Sequence, residues 1–126
     1  MGARERRKGA EAERELVREL RELIGEDVER NLDQPRGGGG DVLLPGWSVE
    51  AKRVRSRPQL IAWWAQAVAQ AGDRWPALAY RLDRRPWRVR VPLAVLAESA
   101  GPVEEVEWTV ELSLTAFAAI VREEVA

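Results

Sequence analysis

The sequence predicts one α/β domain in which helices flank a β-sheet, and three observations support this prediction. The chain has 126 residues, 45% of them hydrophobic and 33% charged, which is typical of a soluble globular domain with a hydrophobic core. Apolar residues recur alternately at helical and at strand spacing, in the order α–β–β–β–α–β–β followed by β–α. No internal repeat interrupts this order. We therefore expect a single domain over residues 1–126, with a basic arm at 1–8 and an acidic extension at 98–126.

The first helix is predicted over about residues 9–24, because apolar residues form a stripe along one side of it. These residues are Leu16, Val17, Leu20, Leu23 and Ile24. Extended back by one turn, the stripe reaches Glu13, whereas Glu15 falls on the opposite, solvated face. A carboxylate on the buried side of a helix is unfavourable unless it is paired or bound to a metal. The alternative is that the stripe ends before Glu13 and that this side chain is solvated.

The segment after this helix predicts a short strand at 27–33 and then a β-hairpin that turns at Pro45-Gly46. Side chains of a strand alternate between its two faces, so Glu50 and Lys52 point the same way, about 6–7 Å apart at a rise of ~3.3 Å per residue. The hairpin brings Asp41, at the start of its first strand, beside them. Four glycines precede Asp41, and a glycine backbone can approach a ligand closely.

The remaining elements are predicted from turn and capping signals. Pro58, at the first helical position, opens a second helix, and Ser113 or Thr115 caps a C-terminal helix. The predicted strands lie at 76–82, 86–96 and 103–112, and the C-terminal helix at 116–125. Gln66 lies on an uncharged face of the second helix that also carries Trp63. This face suits a partner or a nucleic-acid backbone; the alternative is a partly packed Trp63.

Composition restricts the chemistry that the chain can perform. It contains no Cys and no His, which excludes disulfides, thiolate or imidazole metal sites, Cys nucleophiles and His general bases. Lys52 is one of two lysines, against 18 arginines. Any catalytic site must therefore use carboxylates, Lys, Arg, Tyr80, hydroxyls or a metal held by oxygen ligands.

Charge is distributed unevenly along the chain. The net charge is −1, but residues 1–97 carry a net charge of +5 and residues 98–126 a net charge of −6. Basic residues cluster at 4–8, 52–57 and 81–90. A basic face would attract a phosphate backbone. The alternative is a solvated, salt-bridged surface in an arginine-rich protein.

Glu13, Asp41, Glu50 and Lys52 together predict a metal-dependent site. Converging carboxylates repel one another unless a divalent cation lies between them. Oxygen ligands favour Mg²⁺ or Mn²⁺, and such an ion lowers the pKa of bound water and stabilises charge that develops on a phosphate. A Lys on the same face can orient the water. The set is suited to phosphodiester hydrolysis without His or Cys.

The same residues resemble the PD-(D/E)xK nuclease superfamily. Its motif is matched by Gly40-Asp41 and by "VEAK" at residues 49–52. The superfamily has a Pro before the Asp, where this chain has Gly40, and that Pro is not a ligand. The resemblance implies an α/β fold with a restriction-endonuclease-like core, in which a central mixed β-sheet is flanked by helices.

Three further segments resemble particular members of this superfamily. "KGAEAERELVREL", at residues 8–20, resembles the opening helix of archaeal-type Holliday junction resolvases, with Glu13 at the position of the catalytic glutamate. "WWAQA", at 63–67, is similar to a glutamine-containing helix of that family. "YRLDRRPWRV", at 80–89, resembles a strand-turn-strand of phage-encoded relatives.

The resemblance also implies roles for individual residues. Asp41 and Glu50 would bind Mg²⁺, for which Mn²⁺ would substitute, and the Ala51 carbonyl would be a further ligand. Glu13 would complete the metal shell, and Lys52 would activate water. The DNA contacts that it implies are Arg4, Arg6, Arg7, Lys8, Arg14, Arg30, Arg36, Arg53, Arg55, Arg57 and Gln66.

We therefore expect a phage-encoded, Mg²⁺-dependent homodimer that resolves four-way DNA junctions by paired nicks in recombination or repair. Two alternatives stay open: a PD-(D/E)xK nuclease that acts on another DNA form, and a DNA-binding subunit without catalytic activity. The chain has no apolar run long enough to span a membrane, and its N-terminus lacks the pattern of a signal peptide. The expected location is the cytoplasm, that of the host if a phage encodes the protein.

Overall fold

The computed structural model of the chain describes residues 3–32, 39–98 and 100–125, with side chains described over 9–32, 39–98 and 100–123. The helices in this part of the chain are α1 Ala3–Ile24, α2 Leu60–Ala71 and α3 Leu114–Val125. The strands are β1 Glu29–Arg30, β2 Val42–Leu44, β3 Trp47–Val54, β4 Trp75–Leu82, β5 Arg88–Pro92 and β6 Thr109–Ser113. Short 3₁₀ turns lie at Leu93–Val95 and Val106–Trp108.

The strands form one mixed sheet in chain order, from β1 at one edge to β6 at the other. β3 and β4 pair in parallel, whereas the other neighbouring strands described pair antiparallel. A parallel pair needs a crossover connection, and α2 supplies it between β3 and β4. The predicted α/β fold, a restriction-endonuclease-like core with a mixed sheet flanked by helices, is confirmed.

Helices cover both faces of the sheet. On one face α1 and α3 pack over Trp47 of β3 and the aligned residues of its neighbours. Phe117 of α3 meets Trp47 edge-on, with ring centroids 5.1 Å apart. On the other face α2 buries Trp64 against Leu78 of β4 in a second, smaller core. Because β3 alternates between these two cores, its polar side chains are held between packed layers.

The direction of α1 decides which of its residues reach the end of β3. Arg30 of β1 contacts Glu13 in the first half of the helix, while Arg21 near its end donates a hydrogen bond to the Val28 carbonyl at 3.0 Å. α1 therefore runs antiparallel to β1. It also runs antiparallel to β3, since β1 and β3 are both antiparallel to β2. The N-terminal half of α1 thus lies where β3 ends, and its backbone continues about 15 Å from Glu13 to Ala3 at a rise of 1.5 Å per residue.

Several predicted element boundaries were wrong. α1 begins six residues earlier than predicted, because residues 3–8 contain good helix formers and no helix breaker. Pro58 is not the first helical residue: Gln59 is the N-cap of α2, so the proline lies outside the helix. The strand predicted over 86–96 ends at Pro92, which has no N–H to continue the ladder, and a 3₁₀ turn follows. β1 and β6 are shorter than predicted.

The acidic C-terminal residues complete the fold. β6 pairs with β5 at the edge of the sheet, and α3 returns over the main core, where Phe117 and Val121 are fully buried. The Ser113 hydroxyl accepts a hydrogen bond from the backbone N–H of Ala116 at 3.1 Å, which confirms Ser113 as the cap. Within the described residues, no helix combines the length and the apolar character needed to cross a membrane.

The packing of α3 yields a stability prediction. Phe117→Ala should lower the free energy of unfolding by about 3–5 kcal/mol, because it leaves a cavity against Trp47 in the main core. Thr115→Ala, on the exposed side of the same helix, should change it by less than about 0.5 kcal/mol. Urea unfolding followed by circular dichroism measures both. Equal, small effects would show that α3 does not contribute to the core in solution.

Candidate active site

The β2–β3 hairpin places Asp41 beside Glu50. Val42 pairs with Val49 across the two strands, so the next position in this register sets Asp41 opposite Glu50. The Asp41 carboxylate is fixed in this place because its Oδ2 accepts a hydrogen bond from the backbone N–H of Ala51 at 2.9 Å. Two carboxylates from opposite strands therefore share one end of the hairpin.

A close backbone contact at Gly40 makes this arrangement possible. The Gly40 N–H donates to the Ser48 hydroxyl at 2.7 Å, and its carbonyl accepts from the Asn31 amide at 3.0 Å. A Cβ at this position would lie 2.8 Å from the carbonyl oxygen of Val49, which is closer than carbon and oxygen can approach. Glycine is therefore required where the superfamily motif has proline, directly before Asp41.

Glu50 is the most constrained side chain of the site. Its side chain is 0% exposed, and no N–H or O–H group in the described part of the chain donates a hydrogen bond to either carboxylate oxygen. Burial raises the pKa of Glu50 to about 8; the negative charge of Asp41 and a hydrogen bond shared with its carboxyl group add to this effect, and the positive charge of Lys52 opposes it. A buried carboxylate without partners destabilises the fold unless it is protonated or bound to a cation.

Glu13 lies close to this pair but is bonded elsewhere. Its side chain is 22% exposed, and its Oε1 accepts a hydrogen bond from Arg30 Nε at 3.3 Å. Burial raises the pKa of Glu13, as does the charge of Asp41, and Arg30 offsets part of the increase. The helical stripe thus extends as far as Glu13. Over residues 9–32, 39–98 and 100–123, however, no three His, Cys, Asp or Glu side chains are grouped closely enough to hold a metal ion.

Asp41 and Glu50 are the residues of this site that could hold a cation. The two carboxylate oxygens of Glu50 are buried and accept no hydrogen bond from a donor group. The atoms of Asp41 and Glu50 that could coordinate a cation are all oxygens. Hard divalent cations such as Mg²⁺ and Mn²⁺ prefer this kind of ligand. The residues present therefore fit the metal that the motif implies, although Glu13 is held by Arg30 here.

Lys52 begins a polar row across the sheet that the sequence did not reveal. It is half-buried on the same face as Glu50, and it pairs in register with Tyr80 of β4. The Tyr80 hydroxyl donates to Glu111, which also accepts from Arg88. Burial and the hydrogen bond to Glu111 raise the pKa of Tyr80 to about 12, so this phenol stays protonated at neutral pH and cannot act as a base there.

Glu15 was predicted on the solvated face of α1, and this prediction was wrong. Its side chain is 16% exposed and lies 3.6 Å from Arg53. It also accepts hydrogen bonds from Arg81 and from Trp87 Nε1, the latter at 2.9 Å. A helical stripe marks the centre of a buried face but not its flanks. The signal that sequence reasoning passed over is the pair of arginines on the inward positions of β3 and β4.

The predicted DNA contacts occupy different environments. Arg30 and Arg53 are half-buried and paired with glutamates. Four others have exposed side chains near the candidate site or on α2: Arg14, Arg55, Arg57 and Gln66. Arg36 and the side chains of Arg4, Arg6, Arg7 and Lys8 lie outside the described residues. The backbone of residues 4–8 is described, and it is helical.

Most of the chain matches the model of a protein family. Residues 4–117, which are 114 of the 126 in the chain, match the model of a family described as "Phage putative PDDEXK endonuclease". The matched region contains all four residues of the candidate site. No curated protein and no solved structure matches the chain significantly.

The pKa of Glu50 leads to a prediction on stability and pH. In EDTA, the free energy of unfolding should fall as pH rises from about 4.5 to about 8. Over this window folded Glu50 keeps a proton that the unfolded chain releases, so the stabilising effect is complete below the window and lost above it. The loss should be on the order of a few kcal/mol. Thermal unfolding at pH 5 and pH 8 measures it.

Substitution of Glu50 and addition of Mg²⁺ test whether this pH dependence of stability comes from Glu50. At pH 8 in EDTA, Glu50→Gln should unfold at a higher temperature than wild type, whereas Glu123→Gln, on the exposed side of α3, should not differ. Adding Mg²⁺ at pH 8 should raise the melting temperature of wild type more than that of Glu50→Gln. A Glu50→Gln protein less stable than wild type at pH 8 in EDTA would contradict this account.

Proposed function

The chain belongs to this phage family of PD-(D/E)xK endonucleases, and on that basis we propose that it cuts four-way DNA junctions by paired, metal-dependent nicks. The observation that supports the catalytic part of the proposal most strongly is Glu50, buried with two unpartnered oxygens beside Asp41. In the absence of a cation, ionisation of this group destabilises the fold, which is why its pKa is raised. A DNA-binding subunit without catalytic activity would have no use for such a group.

PD-(D/E)xK nucleases generally use divalent metals, and the proposal assigns the ligands by position in the motif. Asp41 and Glu50 would hold Mg²⁺, which Mn²⁺ could replace, with the Ala51 carbonyl as a further ligand and Glu13 completing the shell. When bound, the ion would lower the pKa of a water molecule and stabilise negative charge on the scissile phosphate. Asp41 is already oriented for this task by the N–H of Ala51.

Lys52 has a separate role in the proposal. Its ammonium group, on the same strand face as Glu50, would donate hydrogen bonds to the attacking water and to the phosphate, and so orient both. The positive charge would also offset the charge that accumulates on the phosphate oxygens. Tyr80, the partner of Lys52 in register, stays protonated, so proton removal would not depend on it.

The choice of a four-way junction as substrate rests on different support. Residues 8–20 resemble the opening helix of archaeal-type junction resolvases, and this helix extends beyond Glu13 through a basic segment at 4–8. Such a helix would contact phosphates near the site and would hold DNA less well as salt increases. Paired nicks need two active sites, so the proposal includes a homodimer.

Cleavage assays test the proposal directly. With Mg²⁺, wild type should nick a fixed four-way junction symmetrically and leave a linear duplex of the same arm sequence intact. EDTA or Asp41→Asn should reduce the rate by at least about 10²-fold, because the metal site is lost. Asp73→Asn, an exposed carboxylate in the turn before β4, should cut like wild type.

Other results of the cleavage assay would each reject one part of the proposal. Equal cutting of both DNAs would retain the nuclease and reject the junction as its specific substrate. Binding of the junction without cutting, with Mg²⁺ or Mn²⁺ present, would reject the catalytic assignment and favour a DNA-binding subunit. Cutting by Asp41→Asn at the wild-type rate would reject the proposed metal site.

A further inference from the structure

Glu15 joins two arginines on neighbouring strands beside the candidate active site. Arg53 of β3 and Arg81 of β4 are partners in the parallel register. One carboxylate oxygen of Glu15 lies 3.6 Å from Arg53 Nη1, and the other accepts a hydrogen bond from Arg81 Nη1. Trp87 Nε1 donates to that second oxygen at 2.9 Å, which holds the carboxylate in place between the two guanidinium groups.

The charges in this cluster do not balance. Two guanidinium groups share one carboxylate, which leaves one surplus positive charge in a partly buried position. Arg53 Nε is buried and has no hydrogen-bond partner among the residues described. Arg81 is oriented further by a hydrogen bond from its Nε to the Arg85 carbonyl at 2.8 Å. The side chains of Arg53 and Arg81 remain 32% and 29% exposed, so an anion can reach them from solvent.

The cluster is placed next to the proposed chemistry. Arg53 directly follows Lys52, and both lie near the end of β3, the end of the sheet that the N-terminal half of α1 covers. Because strand side chains alternate, Arg53 projects to the face of α1 and Lys52 to the face of α2. A DNA strand whose scissile phosphate lay at Lys52 would bring a neighbouring phosphate within reach of the arginines at this sheet end.

We propose that Arg53 and Arg81 together bind one DNA phosphate adjacent to the cleaved bond, and that Glu15 is the positioning residue that holds them side by side. The inference rests on the proposed function. Guanidinium groups present planar pairs of N–H donors that match phosphate oxygens. Two such groups already fixed by a shared carboxylate lose little conformational freedom when the phosphate binds. Arg53 and Arg81 should therefore act as one unit.

Binding measurements with single and double variants test this unit. The dissociation constants of a four-way junction and of a linear duplex would be measured in EDTA, over a series of salt concentrations. Arg53→Gln and Arg81→Gln should each weaken binding by about tenfold. Each should also reduce the slope of log K against log salt by about 0.9, the value for one phosphate. The double variant should match the single variants, since one phosphate is lost in each case.

Arg122→Gln is the matched control for these variants. Arg122→Gln removes the same charge from α3, where Arg122 contacts the Leu23 carbonyl near the far end of α1, and should bind like wild type. An Arg81→Gln protein with the wild-type affinity and slope would overturn the inference. So would a double variant whose slope falls by twice the single value, because the arginines would then hold separate phosphates.

A footprint on wild type avoids any variant that fails to fold. Saturating DNA in EDTA should protect Arg53 and Arg81 from modification by phenylglyoxal, as read by peptide mass spectrometry, while Arg122 stays reactive. Equal modification of Arg81 with and without bound DNA would overturn the inference. Wild type that binds neither DNA would instead reject the proposed function, whereas wild type that binds and cuts DNA with Arg81 unprotected would reject the arginine pair alone.

Discussion

The burial of Glu50 without a hydrogen-bond donor is the constraint on which the candidate site depends. A lone carboxylate at 0% exposure opposes folding, and Asp41 adds a second negative charge beside it. The fold tolerates both because packed cores on the two faces of the sheet supply the opposing stabilisation. The ionised site is thus unfavourable for the fold, and the proton that Glu50 keeps below about pH 8 removes this cost. A bound cation would take the place of that proton.

Backbone contacts give this arrangement its precision. Gly40 approaches β3 so closely that a side chain would collide with the Val49 carbonyl, and the buried Ser48 hydroxyl is satisfied by the Gly40 N–H. The residue that follows, Asp41, is in turn fixed by the N–H of Ala51. These three contacts, made by Gly40 and Asp41, therefore fix the start of β2 against β3. Carboxylates placed by backbone geometry rather than by flexible side-chain packing can keep ligand positions when charge changes.

Local patterns in the sequence predicted most of the fold and the placement of Asp41 beside Glu50. The helical stripe identified α1 and included Glu13, and strand alternation put Glu50 and Lys52 on one face. What failed depends on partners that are distant in the chain. Glu15 is bonded to Arg81, 66 residues away, and no periodicity within α1 reports such a contact. The polar row from Lys52 through Tyr80 likewise depends on the register of β3 with β4. Predictions that a charged helix residue faces solvent, as made for Glu15, are therefore the least reliable when only the sequence is known.

One helix connects the two charged clusters at this end of the sheet. Two residues along an α-helix rotate by about 200°, so Glu13 and Glu15 leave α1 on different sides: Glu13 meets Arg30 of β1, and Glu15 meets the arginines of β3 and β4. A displacement of α1 would change both contacts together. The basic segment at 4–8 belongs to the same helix, so a phosphate backbone bound there, as proposed, would contact an element shared by the carboxylate site and the arginine pair. The proposed DNA binding and the geometry of the proposed chemistry would then depend on the same helix.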